Sequence, residues 1–577
     1  MKRNRYLALL AAAAMVLAAC SGSGDSTTTT AGSEGTTTTA ASPDTTGPST
    51  GEKVIIIGTT DSIANLDSAD AYAVHDWEIL RNTGVPLTRF VPGSTEVEPG
   101  IAESWEPNED GTVYTFHLRD DVVFGDGTPL TAELYVRHLN RMLSLAGTGS
   151  GGVGGTLGTP YIACVTPGAE EGQCDEWGVK ALDDYTVEIQ LTGAYAYFPQ
   201  LVATAAYVPS HPSLPEDQLI EIPSEFPFYG VGAWILESYT PGEQSVFVPN
   251  PHYFGEKPNA DKIIVRYYSE ASQLVAALAG GDIDIAWRSV TEPQLLETVE
   301  DIDGVISAVV PGGGIRYFIM NHNMAPTDNL FVRQAIAASI DRDEIIDRAF
   351  GGNAEPLYST VPPGFLGANE AFDDLYEAPN LEKARDLLTQ AGYSESNPLQ
   401  LQIDYPPNRY GGVVQDAIAI VKEQLEATGM IEVTTKATEW ATYLGEQING
   451  AYAMGFLGWF FDFPDSSNYV EPWLYSGGLG SGVTTADNKP TPNLTKPELI
   501  DLAQQAATEL DPDKRAELYA QIQNLWAEDV VTIPLWFEPE RIFYRDYISV
   551  TGSFEYAESL NIGPTTEFTW ALLDTSK

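Results

Sequence analysis

From Lys53 onward, short apolar runs alternate with turn residues. "KVIIIG" (53–58), "TVYTFHL" (112–118), "YTVEIQL" (185–191), "SVFV" (245–248) and "KIIVRYY" (262–268) carry the β-branched and aromatic residues of strands. From about Ala271 the period lengthens to that of helices broken by single strands. In "FVRQAIAASI", Phe331, Ala335, Ile336 and Ile340 share one helical face, and Asp341 with Glu344 makes a capping box for the next helix. Asn380 caps "NLEKARDLLTQAG", which buries Ala384, Leu387, Leu388 and Ala391 and stops at Gly392. "LQLQID", a helix over about 412–428 and "IEVTTK" spell a β-α-β unit with parallel strands. Asp511 and Pro512 open a helix with Leu518, Ile522, Leu525 and Trp526 inward, and "VVTIPLWF" (530–537) follows as a strand. A β-rich first half and an α/β second half predict two lobes, with "VVTIPLW" carrying the chain back to the first. "GTGSGGVGGTLG" (147–158) is expected to be a flexible loop, and no internal repeat occurs.

The first residues follow another pattern. Lys2, Arg3 and Arg5 precede an apolar run too short for an ordinary membrane span, and the run ends "LAAC" at Cys20. It reads as an export signal, and the ending resembles a bacterial lipobox in which Cys20 is lipidated. Residues 21–51, rich in Ser, Thr and Gly with two runs of four threonines, can build no core and are expected to be a tether. Thirty such residues span roughly 30 Å. Two other cysteines, Cys164 and Cys174, lie ten positions apart in a Gly/Pro-containing exported stretch and are expected to form a disulfide. Lys+Arg 30 against Asp+Glu 81 gives a net charge of −51, which disfavours nucleic acid and anionic lipid heads.

Catalytic spacings are missing. The sequence holds no G-x-S-x-G, no H-E-x-x-H and no Gly-Lys dipeptide, and its six histidines (75, 117, 138, 211, 252, 322) lack ligand spacing. "GGGIR" (312–316) leads into a strand, which makes it a poor dinucleotide turn, and the aspartates of "GDIDIAW" are a weak calcium signal. No enzyme, metal or cofactor is expected.

The densest chemistry is "LGWFFDFPDSSNYV" (457–470), where Trp459, Phe460, Phe461 and Phe463 crowd Asp462. A carboxylate among rings loses hydration and needs a cation or several donors, or it stays protonated. No Lys or Arg occurs from Phe456 to Asn488, so this stretch suits a cationic partner. Arg409 in "DYPPNRYGG" follows a predicted strand end, a place where ligands sit in α/β sheets, and is a candidate for a carboxylate.

Many blocks in order resemble one family, the bacterial extracellular solute-binding proteins of the peptide/nickel type that serve ABC importers. "IAESWEPNEDGTVYTFHLRDDVVFGDGTPLTAE" is similar to its long signature, and "GVGAWILESYTPGEQSVFVPNPHYFG" to its G-T-G-P-Y block, with Ala233 and Trp234 in place of Pro-Tyr. "SQLVAALAGGDIDIAW", "IRYFIMNHNMAPTDNLFVRQAIAASIDRDEII", "TEWATYL" and "DPDKRAELYAQIQNLWAEDVVTIPLW" complete the order. The resemblance implies a two-lobed α/β periplasmic-binding-protein-like fold of type II, hinged, with an inserted subdomain. It implies a signal over 1–20 and a tether over 21–51. The first lobe would hold 52–95, 228–314 and 536–577, the inserted subdomain 96–227, and the second lobe 315–535. It also implies a peptide ligand, a partner permease, a lipid-anchored extracytoplasmic location and a monomer. Nickel chelates, oligosaccharides and other cationic metabolites stay open as ligands, as do a secreted hydrolase and a sensory or adhesive surface protein as classes. "GWFFDFPDSSNYV" resembles G-W-x-x-D-Y-x-[DE]-P, with Phe463 for Tyr and Ser466 for Pro. The family's peptide binders place an aspartate against the α-amino group at the position of Asp462, beside Trp459, Phe460 and Phe461. Asn321 and Trp440 fall in blocks near the cleft.

Overall fold

The computed structural model describes residues 51–577 except 92–94, 147–152, 167–173, 224–227, 288–289, 291, 311, 408, 476–477, 486–487 and 551–568. The expected signal, Cys20 and all but the last tether residue lie outside the described residues. Three sheets organise the rest. A seven-stranded sheet is ordered Val305–Val310, Glu540–Arg545, Ile285–Trp287, Val54–Thr59, Lys262–Tyr267, Gln244–Pro249 and Trp234–Thr240. Its three middle strands, Ile285–Trp287, Val54–Thr59 and Lys262–Tyr267, run parallel, and the flanking strands are antiparallel. A six-stranded sheet is ordered Glu355–Pro356, Thr532–Phe537, Ile315–Met320, Met454–Trp459, Leu399–Tyr405 and Ile431–Ala437. A four-stranded antiparallel sheet, Ala102–Pro107, Val113–Leu118, Thr186–Gln190 and Val179–Asp183, packs with helix Ala132–Ser144.

Local signals explain the second lobe. Leu399–Tyr405 and Ile431–Ala437 pair in parallel across helix Val413–Glu426, as a β-α-β crossover requires. Asp341 accepts from Glu344 N at 2.9 Å, Asn380 from Lys383 N at 3.1 Å, and Asp511 from Asp513 N and Lys514 N at 3.1 and 3.2 Å. Each cap opens a helix where orphan N–H groups need an acceptor. One face differs from expectation. In helix Leu330–Ser339, Asn329 caps Phe331 N, so Phe331 stays exposed in the first turn while Val332, Ala335 and Ile336 are buried. Within 147–158, the described part Val153–Leu157 is a short helix packed on Ala132–Ser144 rather than a loop. Cys164 and Cys174 are joined, their Cα atoms 5.7 Å apart.

Between the seven- and six-stranded sheets the chain crosses twice, after Val310 and after Phe537. Strand Thr532–Phe537 stays whole in the six-stranded sheet, two residues past the expected limit at 535. The glycines at the first crossing are needed for close approach. A Cβ on Gly312 would lie 2.0 Å from Glu538 O, and one on Gly313 2.1 Å from Phe461 Cε1. Side chains would therefore force the two crossings and the aromatic stretch apart.

Arginines are scarce, and three are spent on buried aspartates. Arg141 donates to both oxygens of Asp67 at 2.7 and 2.6 Å, tying the subdomain helix to the first lobe. Arg333 meets Asp529 at 2.7 Å inside the second lobe, and Arg515 grips Asp465 at 2.6 and 2.7 Å. Removing one partner of such a pair strands a buried charge. Arg141→Met is therefore expected to destabilise the protein by about 3–5 kcal/mol, measured by denaturant unfolding. A loss below about 1 kcal/mol would put the pair at the strength of an exposed one.

Candidate functional site

Strand Met454–Trp459 brings the aromatic stretch to the junction of the lobes. It pairs with Ile315–Met320 from Ile315↔Trp459 to Met320↔Met454. Trp459 therefore sits beside the first crossing, and the loop after it faces the first lobe. That loop is fixed by its own polar residues. Asn468 Oδ1 accepts from Trp459 Nε1 at 2.9 Å and from Asp462 N at 3.1 Å. Asp465 caps Ser467 N at 2.8 Å while Arg515 holds its carboxylate, and Tyr469 Oη donates to Gly313 O at 2.7 Å.

Asp462 emerges half-buried at the wall of a cavity of about 340 Å³. Its carboxylate accepts from Tyr72 Oη, which reaches across from the first lobe, and more weakly from Asn468 Nδ2 at 3.4 Å. Burial pushes the Asp462 carboxyl above its usual range, against the lowering pull of these two donors. Among the described residues no Lys, Arg or His forms an ion pair with it. The site is an anion short of a cation.

Six of the seven expected ligand residues line this cavity: Asp462, Trp459, Phe460, Phe461, Trp440 and Arg409. Asn321 does not. It lies past Met320, at the far end of the strand from Ile315↔Trp459, roughly 20 Å away at ~3.4 Å per residue. Its amide is used locally, donating to Gly450 O at 2.9 Å and accepting from Asn323 N at 2.9 Å. It holds a turn.

Several lining residues were missed by sequence reasoning. Tyr72 comes from the segment just before helix Val74–Thr83, Val74 and Trp77 from the start of that helix, and Glu540 from the second crossing. Tyr410 neighbours Arg409, so its place was inferable from the same loop. Arg316 stands behind the wall, its guanidinium 4.9 Å from the Phe460 ring and 4.8 Å from the Tyr410 ring, with Glu538 at 3.4 Å. Gly458 makes room for it, since a Cβ there would meet Arg316 Cδ at 3.0 Å. Among the described residues no group of three His, Cys, Asp or Glu is placed to hold a metal ion.

A second acid faces the opposite body. Tyr197 of the four-stranded unit donates to Glu471 at 3.1 and 3.3 Å and stacks on Phe463 with centroids 5.3 Å apart. Phe463 and Ala507 are buried in the core of the first lobe and subdomain, and Ala196 N donates to Ala507 O at 2.8 Å. Burial pushes Glu471 from 4.5 up to about 8.

The family model described as bacterial extracellular solute-binding proteins, family 5, matches residues 96–481. The chain belongs to that family, a class of transport binding proteins and not of enzymes. It is 26% identical over 455 residues to the periplasmic oligopeptide-binding protein OppA of Haemophilus influenzae, covering 76% of this chain and 80% of that one. To the probable D,D-dipeptide-binding periplasmic protein DdpA of Escherichia coli it is 25% identical over 496 residues, covering 84% and 88%. The unliganded open form of the murein tripeptide-binding protein MppA shares the fold at TM-score 0.72 and 22% identity, covering 91% and 98%.

The Glu471 contact makes stability pH-dependent. Its folded pKa lies above the unfolded value, so the folded state binds more protons between 4.5 and about 8, and stability falls as pH rises through that window. The loss is about 2–5 kcal/mol, discounted because Glu471 keeps part of its surface. Wild type should melt at a lower temperature at pH 9 than at pH 5, and Glu471→Gln should flatten the profile and melt higher at pH 9. A residual slope belongs to Asp76, pushed up to about 6 by burial, and to Asp462. An identical profile in the variant would acquit Glu471.

Proposed function

We propose that this chain is the lipid-anchored, extracytoplasmic receptor of an ABC importer, capturing peptides between its lobes and handing them to the permease as a monomer. The observation that carries the reading is Asp462, a carboxylate without a cationic partner among the described residues, on the wall of the inter-lobe cavity. A ligand ammonium supplies the missing charge. Trp459, Phe460 and Phe461 around it add stacking or cation–π contacts of ~0.5–2 kcal/mol each, without reading side-chain identity. The peptide-binding names of the relatives support the ligand class. In this reading 52–95, 228–314 and 538–577 close as one lobe, with 96–227 inserted, upon 315–537.

Asp462→Asn keeps the shape and removes the charge, so binding of a free-amine peptide should weaken by ~2–5 kcal/mol. N-acetylating the peptide should cost wild type a similar amount and the variant much less. Titration calorimetry of both proteins with both peptides measures the coupling, and simple additivity would take the amine away from Asp462.

The anchor rests on "LAAC" followed by a core-less tether. Cys20→Ser should move the protein from the membrane fraction to the medium with binding intact. A variant that stays membrane-bound through a carbonate wash would exclude the lipid anchor.

A further inference from the structure

We propose that the corner Tyr195–Phe198 of the four-stranded unit and Glu471 of the second lobe form a proton-operated latch across the seam, held while Glu471 is protonated and released when it ionises. The latch needs, of the proposed function, only that the two bodies part.

Three contacts meet at this corner. Ala196 N donates to Ala507 O at 2.8 Å. The ring of Tyr197 stacks on Phe463, with centroids 5.3 Å and planes 18° apart. Tyr197 Oη reaches both oxygens of Glu471, at 3.1 and 3.3 Å. The corner is held from behind, where Thr192 Oγ1 lies 3.0 Å from Tyr195 Oη and Phe198 packs on Tyr114 with ring centroids 4.9 Å apart. A backbone hydrogen bond and a ring stack do not change with pH. The carboxyl does.

Glu471 has no cation to keep it charged. Among the described residues no Lys, Arg or His forms an ion pair with it. Arg515 faces it, but that guanidinium is committed to Asp465 at 2.6 and 2.7 Å, and the Asp465 charge opposes a second anion beside it. The other groups facing it are phenols. Tyr161, Tyr195 and Tyr197 come from the four-stranded unit, and Tyr475 and Tyr519 from the second lobe. Burial raises each of these phenols, so they stay neutral where Glu471 titrates. Asp462 lies on the same seam, toward Tyr72 and Tyr161.

Parting the bodies returns the Glu471 carboxyl to water, where it ionises at ordinary acidity. Burial holds it up at about 8 in the seam, so closing takes up a proton, and the latch weakens as pH rises from 4.5 through about 8. By the same linkage, anything that closes the seam draws a proton onto Glu471.

The test is hydrogen–deuterium exchange of the ligand-free full chain at pH 6 and pH 9, read by mass spectrometry and corrected for the intrinsic pH dependence of amide exchange. Segments 195–201 and 466–475 report the seam, and strand Ile315–Met320 reports unfolding of the second lobe. Between the two pH values the seam amides should lose protection at least about 10-fold relative to that strand. Glu471→Gln, neutral at both values, should remove most of the change. Tyr197→Phe, which takes away the donor that makes the anion tolerable, should enlarge it. A seam equally protected at pH 6 and pH 9 overturns the latch, as does a change of undiminished size in Glu471→Gln. A loss shared equally by Ile315–Met320 assigns the proton to overall stability and overturns it too. With no ligand present, each of these outcomes leaves the amine reading of Asp462 untouched.

Discussion

A carboxylate set among aromatic rings at the meeting of two lobes constrains everything around it. Asp462 is partly desolvated, and its donors are one phenol and one weak amide contact. Such a group is tolerable only if its loop cannot drift and if a proton or a cation arrives when water leaves. The loop is accordingly over-determined. Arg515 pins Asp465, Asn468 ties Trp459 to the Asp462 backbone, and Tyr469 anchors to Gly313 at the crossing. Even the glycines serve this geometry. Side chains at Gly312, Gly313 and Gly458 would displace Glu538, Phe461 and Arg316.

The inter-lobe seam follows the same logic. Tyr72 and Tyr197 reach from one side to Asp462 and Glu471 on the other, and Phe463 buries itself against Tyr197. With few cations in the chain, three of the buried arginines go to Asp67, Asp465 and Asp529. The seam acids are left with hydroxyl partners. Hydroxyl–carboxyl contacts hold lobes together less firmly than ion pairs, so a ligand bringing its own charge can decide the equilibrium. A ligand shifts a two-state equilibrium only by its differential affinity for one of the two forms, and in the proposed function the ammonium contact at Asp462 supplies that differential.

Local chemistry was the most legible part of the chain. Caps at Asp341, Asn380 and Asp511 and the parallel unit around Val413–Glu426 are written in a few neighbouring residues, so their physics is complete within a window. The Asp462 stretch announced itself because aromatic crowding of an acid is costly wherever it folds. Tertiary partners left no such mark. Tyr72 lies 390 positions from Asp462 and Arg515 lies 50 from Asp465, and no periodicity encodes either meeting. Asn321 failed for a related reason. Its block belongs to a strand that reaches the cleft, but the residue stands at the wrong end, and only the register says which end that is. Phe331 was misplaced by one position on a helix whose cap at Asn329 set the phase.

The central claim is that the closed lobes hold a ligand through a cationic nitrogen at Asp462. Native mass spectrometry of protein purified without refolding tests it most directly, because a closed cleft carries its ligand through gentle purification. The account predicts a bound mass lost on unfolding, released chemically unchanged and bearing a basic amine. A retained ligand without a basic nitrogen, or one released as a cleaved product, would contradict it.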